Sequence, residues 1–367
     1  MIFEDTAEMT GKQRCAFTEP AAPLHKTAGF LPSVAAAVLV ALAAASCTRT
    51  VPGPAAPPAT RPVGDVVTAA GQIVSEALNA PDPLTRVNAI EVVAVTRKLR
   101  LMPVVEHLLR DEFVPVRFAA ALAIGDVKYA LAREEVAALL NDPNPNVRLA
   151  AAYAMYRLGD QRQFDTLRTA LGSKDQTVRA NAALVLGKTG DKRAIKLLYI
   201  ALNMPDSDDK VRYQAVESIA RLGDERIYEK VWTMLISAYA DVRVMGVKAM
   251  GALGTTRAHE ALQGMLEDDV PEVRLAAAEQ LGRLGDDSGQ RVVLDVFRKN
   301  LTAKMNIADR SRVEVLAAAA IGQICTDRLR NLLPRLLDSP AAPVRLAAAR
   351  AVLTCIKRAK QGRQGGF

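Results

Sequence analysis

The chain has 367 residues, half of them apolar, with aromatics at 4%, 22 Gly and 19 Pro. That composition excludes a disordered chain, an aromatic-rich β-sandwich and a Gly/Pro low-complexity polymer, and it assigns the core to Ala, Val, Leu and Ile. With a formal charge of +8, three histidines (His25, His107, His259) and four cysteines (Cys15, Cys47, Cys325, Cys355), most His-dependent triads and metal sites lack parts. No catalytic residue, cofactor or metal is expected.

In chain order, residues 1–46 read as a leader lost on export, Cys15 with it. From Lys26 the text is KTAGFLPSVAAAVLVALAAASC: a cation, an apolar stretch, then small residues before Cys47. The strictly apolar part, 34–45, falls short of the roughly 20 residues a spanning helix needs. Ala44-Ala45-Ser46-Cys47 resembles the lipobox of bacterial lipoproteins, whose Cys receives a diacylglyceryl group and becomes the new N-terminus. The resemblance implies a lipid anchor at Cys47 and a place in the cell envelope, facing the periplasm or exterior. Ala44 stands where a lipobox usually has Leu, so cleavage without lipidation is the alternative. Residues 47–62 carry five prolines and read as a stiff tether that packs no core.

From 63 to 354 one phrase recurs: a bend with Asp and Pro, then Val-Arg, an Ala-rich run and often Leu-Gly-Asp. NDPNPNVRLAAAYAMYRLGD and EDDVPEVRLAAAEQLGRLGD are near-copies. Its arginine falls at Arg86, Arg117, Arg148, Arg179, Arg212, Arg243, Arg274 and Arg345, with Glu314 in the same slot; most separations are 31 residues, one is 33 and one is 40. A fixed period of this length predicts a solenoid. Each unit divides into two helical stretches, as in RAIKLLYIAL then VRYQAVESIARLG, and the second stops at Gly159, Gly190, Gly223, Gly254 or Gly285 in five units. Three residues past the slot stand Ala89, Ala120, Ala151, Ala182, Ala215, Gly246, Ala277, Ala317 and Ala348, a small-residue column for tight helix stacking. The longest spacing, around RKNLTAKMNIADRS, predicts a longer loop or an irregular unit.

These repeats resemble HEAT repeats, in particular the short bacterial HEAT-like repeats also found in phycobilin lyases. The resemblance implies an all-α, right-handed α-solenoid of about nine helix hairpins over 63–358, before a basic tail at 359–367. The family pattern places an Asp six residues before an Arg, found here as Asp111/Arg117, Asp142/Arg148, Asp206/Arg212 and Asp268/Arg274. In the family these residues form a ladder of ion pairs linking neighbouring turns. In other units the acid is shifted or absent (Asp175, Asp241, Asp338), so an interrupted ladder is expected.

The resemblance also puts second helices on the concave surface. Positions five and nine past the slot then give a partner-binding strip with Tyr153, Arg157, Lys188, Arg221 and Arg283. Glu217/Arg221 and Glu279/Arg283 are also spaced to form plain helical salt bridges. Nucleic acid is a disfavoured partner, because residues 63–354 hold 39 cations against 36 acids. His259-Glu260 is similar to the His-Glu pairs of deoxyhypusine hydroxylase, a HEAT-like di-iron enzyme, but that family repeats the pair and this chain has it once. Both histidines are expected on helix surfaces.

Cys325 and Cys355 sit at nearly the same register in adjacent units. Stacked positions lie roughly 9–10 Å apart, beyond a disulfide's reach of about 7 Å between Cα atoms, so two buried free thiols are expected. The resulting expectation is a non-enzymatic, exported and lipid-anchored scaffold that recognises a protein or peptide on its concave face. Two rivals stand beside it: a cytosolic scaffold that binds nucleic acid or acts as a regulatory subunit, and a phycobilin-lyase-like enzyme.

Overall fold

The computed structural model describes residues 63–364. The leader, Cys47 and the tether lie outside the described residues. Within them every element is helical, and the helices pair into nine hairpins. The first four are α1 (Val63–Leu78) with α2 (Pro83–Thr96), α3 (Met102–His107) with α4 (Val114–Val127), α5 (Arg133–Ala138) with α6 (Pro145–Arg157), and α7 (Gln163–Ala170) with α8 (Gln176–Thr189). The next three are α9 (Ala194–Asn203) with α10 (Asp209–Arg221), α11 (Tyr228–Leu235) with α12 (Ala240–Leu253), and α13 (Thr256–Gly264) with α14 (Pro271–Leu284). The last two are α15 (Gln290–Arg298) with α16 (Ile307–Ile324), and the short α17 (Asp327–Arg330) and α18 (Leu333–Leu337) with α19 (Ala342–Gln364).

The turn chemistry explains the second helices. Asp82, Asn144, Asp175, Asp208 and Asn306 sit at N-caps with side-chain oxygens accepting from backbone N–H groups of the first turn. All five glycines read as helix stops have positive φ, from 65° at Gly254 to 107° at Gly159. Eight of the nine second helices begin three residues before the repeat slot. The exception is α16, which begins seven before Glu314, so part of the long spacing is one extra helical turn and the rest is the connection after α15.

Each second helix packs against the second helix of the next unit, whereas first helices pack on second helices, their own and in several units the preceding one. The second helices therefore form an inner layer. The predicted small-residue column lies in it, and its eight alanines have no exposed surface. A second column, eight residues past the slot, was not anticipated: Ala94, Gly125, Gly187, Ala220, Gly251, Gly282 and Gly322. A Cβ at Gly187 would lie 2.8 Å from Ser218 Cα, and one at Gly125 or Gly322 would lie 2.9 Å from the Cα of Ala154 or Ala351. Neighbouring inner helices therefore nearly touch backbones near their C-terminal ends.

Close approach on the inner side curves the array until its ends meet. Helix α19 packs against both α1 and α2. Arg350 pairs with Glu91 at 3.2 Å, and Lys357 Nζ donates to Val95 O at 2.9 Å. The solenoid is closed, not open-ended. Its tightest arc is packed on every side: Phe118 through Gly125, Leu149 through Met155 and Val178 through Gly187 are buried without interruption.

The acid–arginine ladder runs between units. Arg86 Nε and Nη2 donate to the two carboxylate oxygens of Asp111, each at 2.9 Å, while its Nη1 donates to Ala80 O and Pro81 O. Arg117 grips Asp142 and Arg243 grips Asp268 in the same way, whereas Arg179 grips Asp206 through Nη1 and Nη2 and gives its Nε to Ser173 O. The Asp six before a slot thus receives the preceding unit's arginine. The following arginine takes only backbone carbonyls, as Arg148 does at Asp142 O (2.7 Å) and Arg274 at Asp268 O (2.6 Å). Where that position holds Ser173 or Ser237, Arg148 and Arg212 lack a rung to the next unit. Arg212 instead faces Asp209 on its own helix at 3.8 Å.

The expectation of two free thiols is also corrected. Cys325 ends α16 in the left-handed conformation (φ 58°), which turns its side chain towards α19, and it forms a disulfide with Cys355 across Cα atoms 5.5 Å apart. Register alone overestimated the separation because these two helices are also in close contact at Gly322, beside Ala351.

Candidate partner-binding site on the inner helices

The five residues of the predicted strip all lie on inner helices, but they are not equivalent. Tyr153 on α6 has no exposed surface. Its ring packs where Gly125 has no side chain, and its hydroxyl donates to Asp126 Oδ1 at 2.7 Å. Burial, then the Asp126 charge, push the phenol far above its usual range. Tyr153 is therefore a core residue and leaves the strip, a correction that follows from the dense packing around α4, α6 and α8.

The four cations divide by partner. Lys188 Nζ pairs with Asp126 Oδ2 at 2.9 Å, so one carboxylate receives both a phenol and an ammonium. Arg221 pairs with Glu217 one turn earlier on α10, the helical salt bridge that its spacing allows. Arg157 and Arg283 differ. Arg157 Nη1 donates to Lys188 O at 2.9 Å and Arg283 Nη2 to Gly251 O at 2.8 Å, each reaching a neighbouring inner helix. Among the described residues neither has a carboxylate within ion-pair distance. The Nε of Arg157 is buried with no hydrogen-bond partner. Arg283 did not form the expected pair with Glu279. Desolvation, then the charge of Arg221, lower its pKa, with Glu279 and Glu217 opposing. The inner face thus gathers guanidinium groups from α6, α10 and α14.

Arg157 also borders a cleft of about 310 Å³ lined by Lys128, Tyr156, Gly159, Gln161 and Thr189, at the C-terminal ends of α4, α6 and α8. Lys128, the left-handed cap of α4, is exposed there. The three acids nearest the cleft in sequence are occupied: Asp126 is held by Lys188 and the Tyr153 hydroxyl, Asp160 by Arg162 and Gln163, and Asp191 by Arg193 and the Tyr156 hydroxyl. The hydrogen bond from Arg193 holds Asp191 down at about 2, and that from Arg162 does the same for Asp160. The sequence reading passed over Lys128. Its only signal was a lysine at a helix end where most units place glycine.

His259 Nε2 lies 2.8 Å from Asp286 Oδ2, and His107 ends α3. Among the described residues no three His, Cys, Asp or Glu side chains converge as a metal-binding group. Cys47 lies outside those residues.

Four overlapping windows, 133–220, 170–243, 200–282 and 231–304, match the family model described as HEAT repeats. Residues 133–304 carry HEAT repeats. Among solved structures the HEAT solenoid is similar to the complex of CpcE and CpcF of phycocyanin lyase from Nostoc sp. PCC7120, at 18% identity over 69% of this chain and 94% of that one, with a TM-score of 0.40. Human deoxyhypusine hydroxylase matches at 17% identity over 72% and 99% of the two chains, with a TM-score of 0.35. Kap121p matches at 15% identity over 82% of this chain and 39% of its own, with a TM-score of 0.32. These likenesses concern the fold. No curated protein matches the chain.

Proposed function

We propose that this protein is a non-enzymatic binding scaffold whose closed HEAT frame recognises a protein or peptide partner through the inner helices and their C-terminal rim. One observation carries the reading. Arg157 and Arg283, on a rigid frame, are hydrogen-bonded to carbonyls and lack carboxylate partners among the described residues. A guanidinium so placed keeps donors for an incoming acceptor. A surface of solvated salt bridges alone would have paired them as it pairs Arg221. The test is a pull-down with the full chain, compared with Arg157→Glu and Arg283→Glu. The captured set should change in both variants; an identical set from all three proteins refutes the choice of face.

We further propose that the scaffold works in the cell envelope, tethered through Cys47. The lipobox-like leader motivates the reading, and the Cys325–Cys355 disulfide supports it, since such bonds persist chiefly in oxidising compartments. Incorporation of a radioactive fatty acid into the wild type and not into Cys47→Ala is the expected result. Equal labelling of both, or labelling of neither, removes the anchor from the proposal.

A further inference from the structure

We propose that the cleft at the C-terminal ends of α4, α6 and α8 is a binding site for a carboxylate side chain of an acidic peptide, held between Lys128 and Arg157. The inference rests on the partner-binding reading and adds the chemistry and seat of recognition. Three helix C-termini converge on the cleft; their carbonyl ends seat the cations and by themselves oppose an anion, so the attraction must come from the cationic side chains. Arg157 uses one of those carbonyls, Lys188 O, through Nη1, its Nε is buried without a partner, and its Nη2, with no hydrogen bond among the described residues, is the donor free to meet an acceptor. Lys128 places an exposed ammonium on the same cleft, with Gln161 and Thr189 also lining the wall. The Thr189 hydroxyl is engaged with Leu186 O and the Tyr156 hydroxyl with Asp191, so the two cations and the Gln161 amide are the side-chain donors left for the ligand.

Charge and size both favour a carboxylate on a peptide. Asp126, Asp160 and Asp191, the acids beside the cleft, are tied to Lys188, Arg162 and Arg193, so they do not neutralise Lys128 and Arg157. The volume, about 310 Å³, is at the small end of the range for ligand sites and suits one acidic residue of an extended chain rather than a large cofactor.

The test is fluorescence anisotropy of the full chain with a labelled hexaglutamate peptide, its hexaglutamine counterpart, and inorganic phosphate as competitor. Hexaglutamate should bind and hexaglutamine should not. Arg157→Gln should weaken binding about tenfold or more, as expected for loss of a charge-assisted hydrogen bond. Lys128→Gln, an exposed change that spares the fold, should weaken it several-fold. Arg298→Gln, an exposed change at the end of α15, should leave it unchanged. Absence of hexaglutamate binding overturns the proposal, as does equal loss in Arg298→Gln, or phosphate displacing the probe at lower concentration than unlabelled peptide does. If Arg283→Gln abolishes binding while Arg157→Gln and Lys128→Gln preserve it, this seat is refuted and the wider inner-face reading survives.

Discussion

Substituting Gly187 by Ala isolates the feature that makes the ring close. In an open helix interior this change stabilises by about 1 kcal/mol, because glycine costs that much relative to alanine. At Gly187 the new Cβ would stand 2.5 Å from Ser218 Cβ and 2.8 Å from Ser218 Cα. Ordinary carbon contacts need about 3.5–4.0 Å, so α8 and α10 must part by roughly 1 Å. Ser218 has no exposed surface, and its backbone cannot swing away as a long side chain would. Overpacking of this kind costs about 1–3 kcal/mol or more; at the upper end expected for a backbone contact this exceeds the propensity gain by about 2 kcal/mol. Gly71, mid-way along α1 with nothing within 4 Å of its notional Cβ, is the matched control, where alanine should gain about 0.5–1 kcal/mol. For a chain of this size, thermal melts followed by circular dichroism should show Gly187→Ala falling by about 3 °C and Gly71→Ala rising by about 1 °C. If both variants rise, backbone contact at the glycine column does not set the helix spacing, and the account of ring closure fails.

Reduction of Cys325–Cys355, which closes a loop of sequence separation 30, should lower stability by roughly 3–4 kcal/mol on the chain-entropy model; Cys355→Ser should reproduce the loss and abolish its sensitivity to reductant. Asp111→Ala leaves Arg86 buried without its bidentate partner and should cost about 3 kcal/mol in denaturant titrations, whereas Asp175→Ala removes only an N-cap and should cost about 1 kcal/mol. Asp191 should titrate near 2 by carboxylate NMR, lowered from 3.8 chiefly by the Arg193 hydrogen bond. Its folded pKa lies below the unfolded one, so its contribution is complete above about pH 4 and is lost as pH falls through 2. Arg193→Gln should return the titration towards the ordinary range and remove that acid-side slope.

The arginine register, the glycine stops and the alternation of Ala-rich with Leu/Ile-rich stretches made the hairpin repeat legible, since period and cap chemistry are local properties. The ladder was legible in its residues and in its linking of neighbouring units. The structure adds the direction of each rung, since Asp111 belongs to Arg86 of the unit before. The serines at 173 and 237 do explain, one residue at a time, where rungs are missing. The site was legible only in part. Helical geometry put Tyr153 and Arg157 on one stripe, yet one is entirely buried and the other borders a cleft.

The sequence by itself determined the unit: which segments coil, where each coil ends, and which small side chains let the next coil lie close. Only the tertiary structure decided how those units add up. A modest rotation at each inner contact, set by backbones meeting at Gly125, Gly187 and Gly322, accumulates over nine hairpins until α19 reaches α1 and α2. That sum also brings Arg350 to Glu91 and Lys357 to Val95 O. Period sees one contact at a time, and curvature is a property of all of them together.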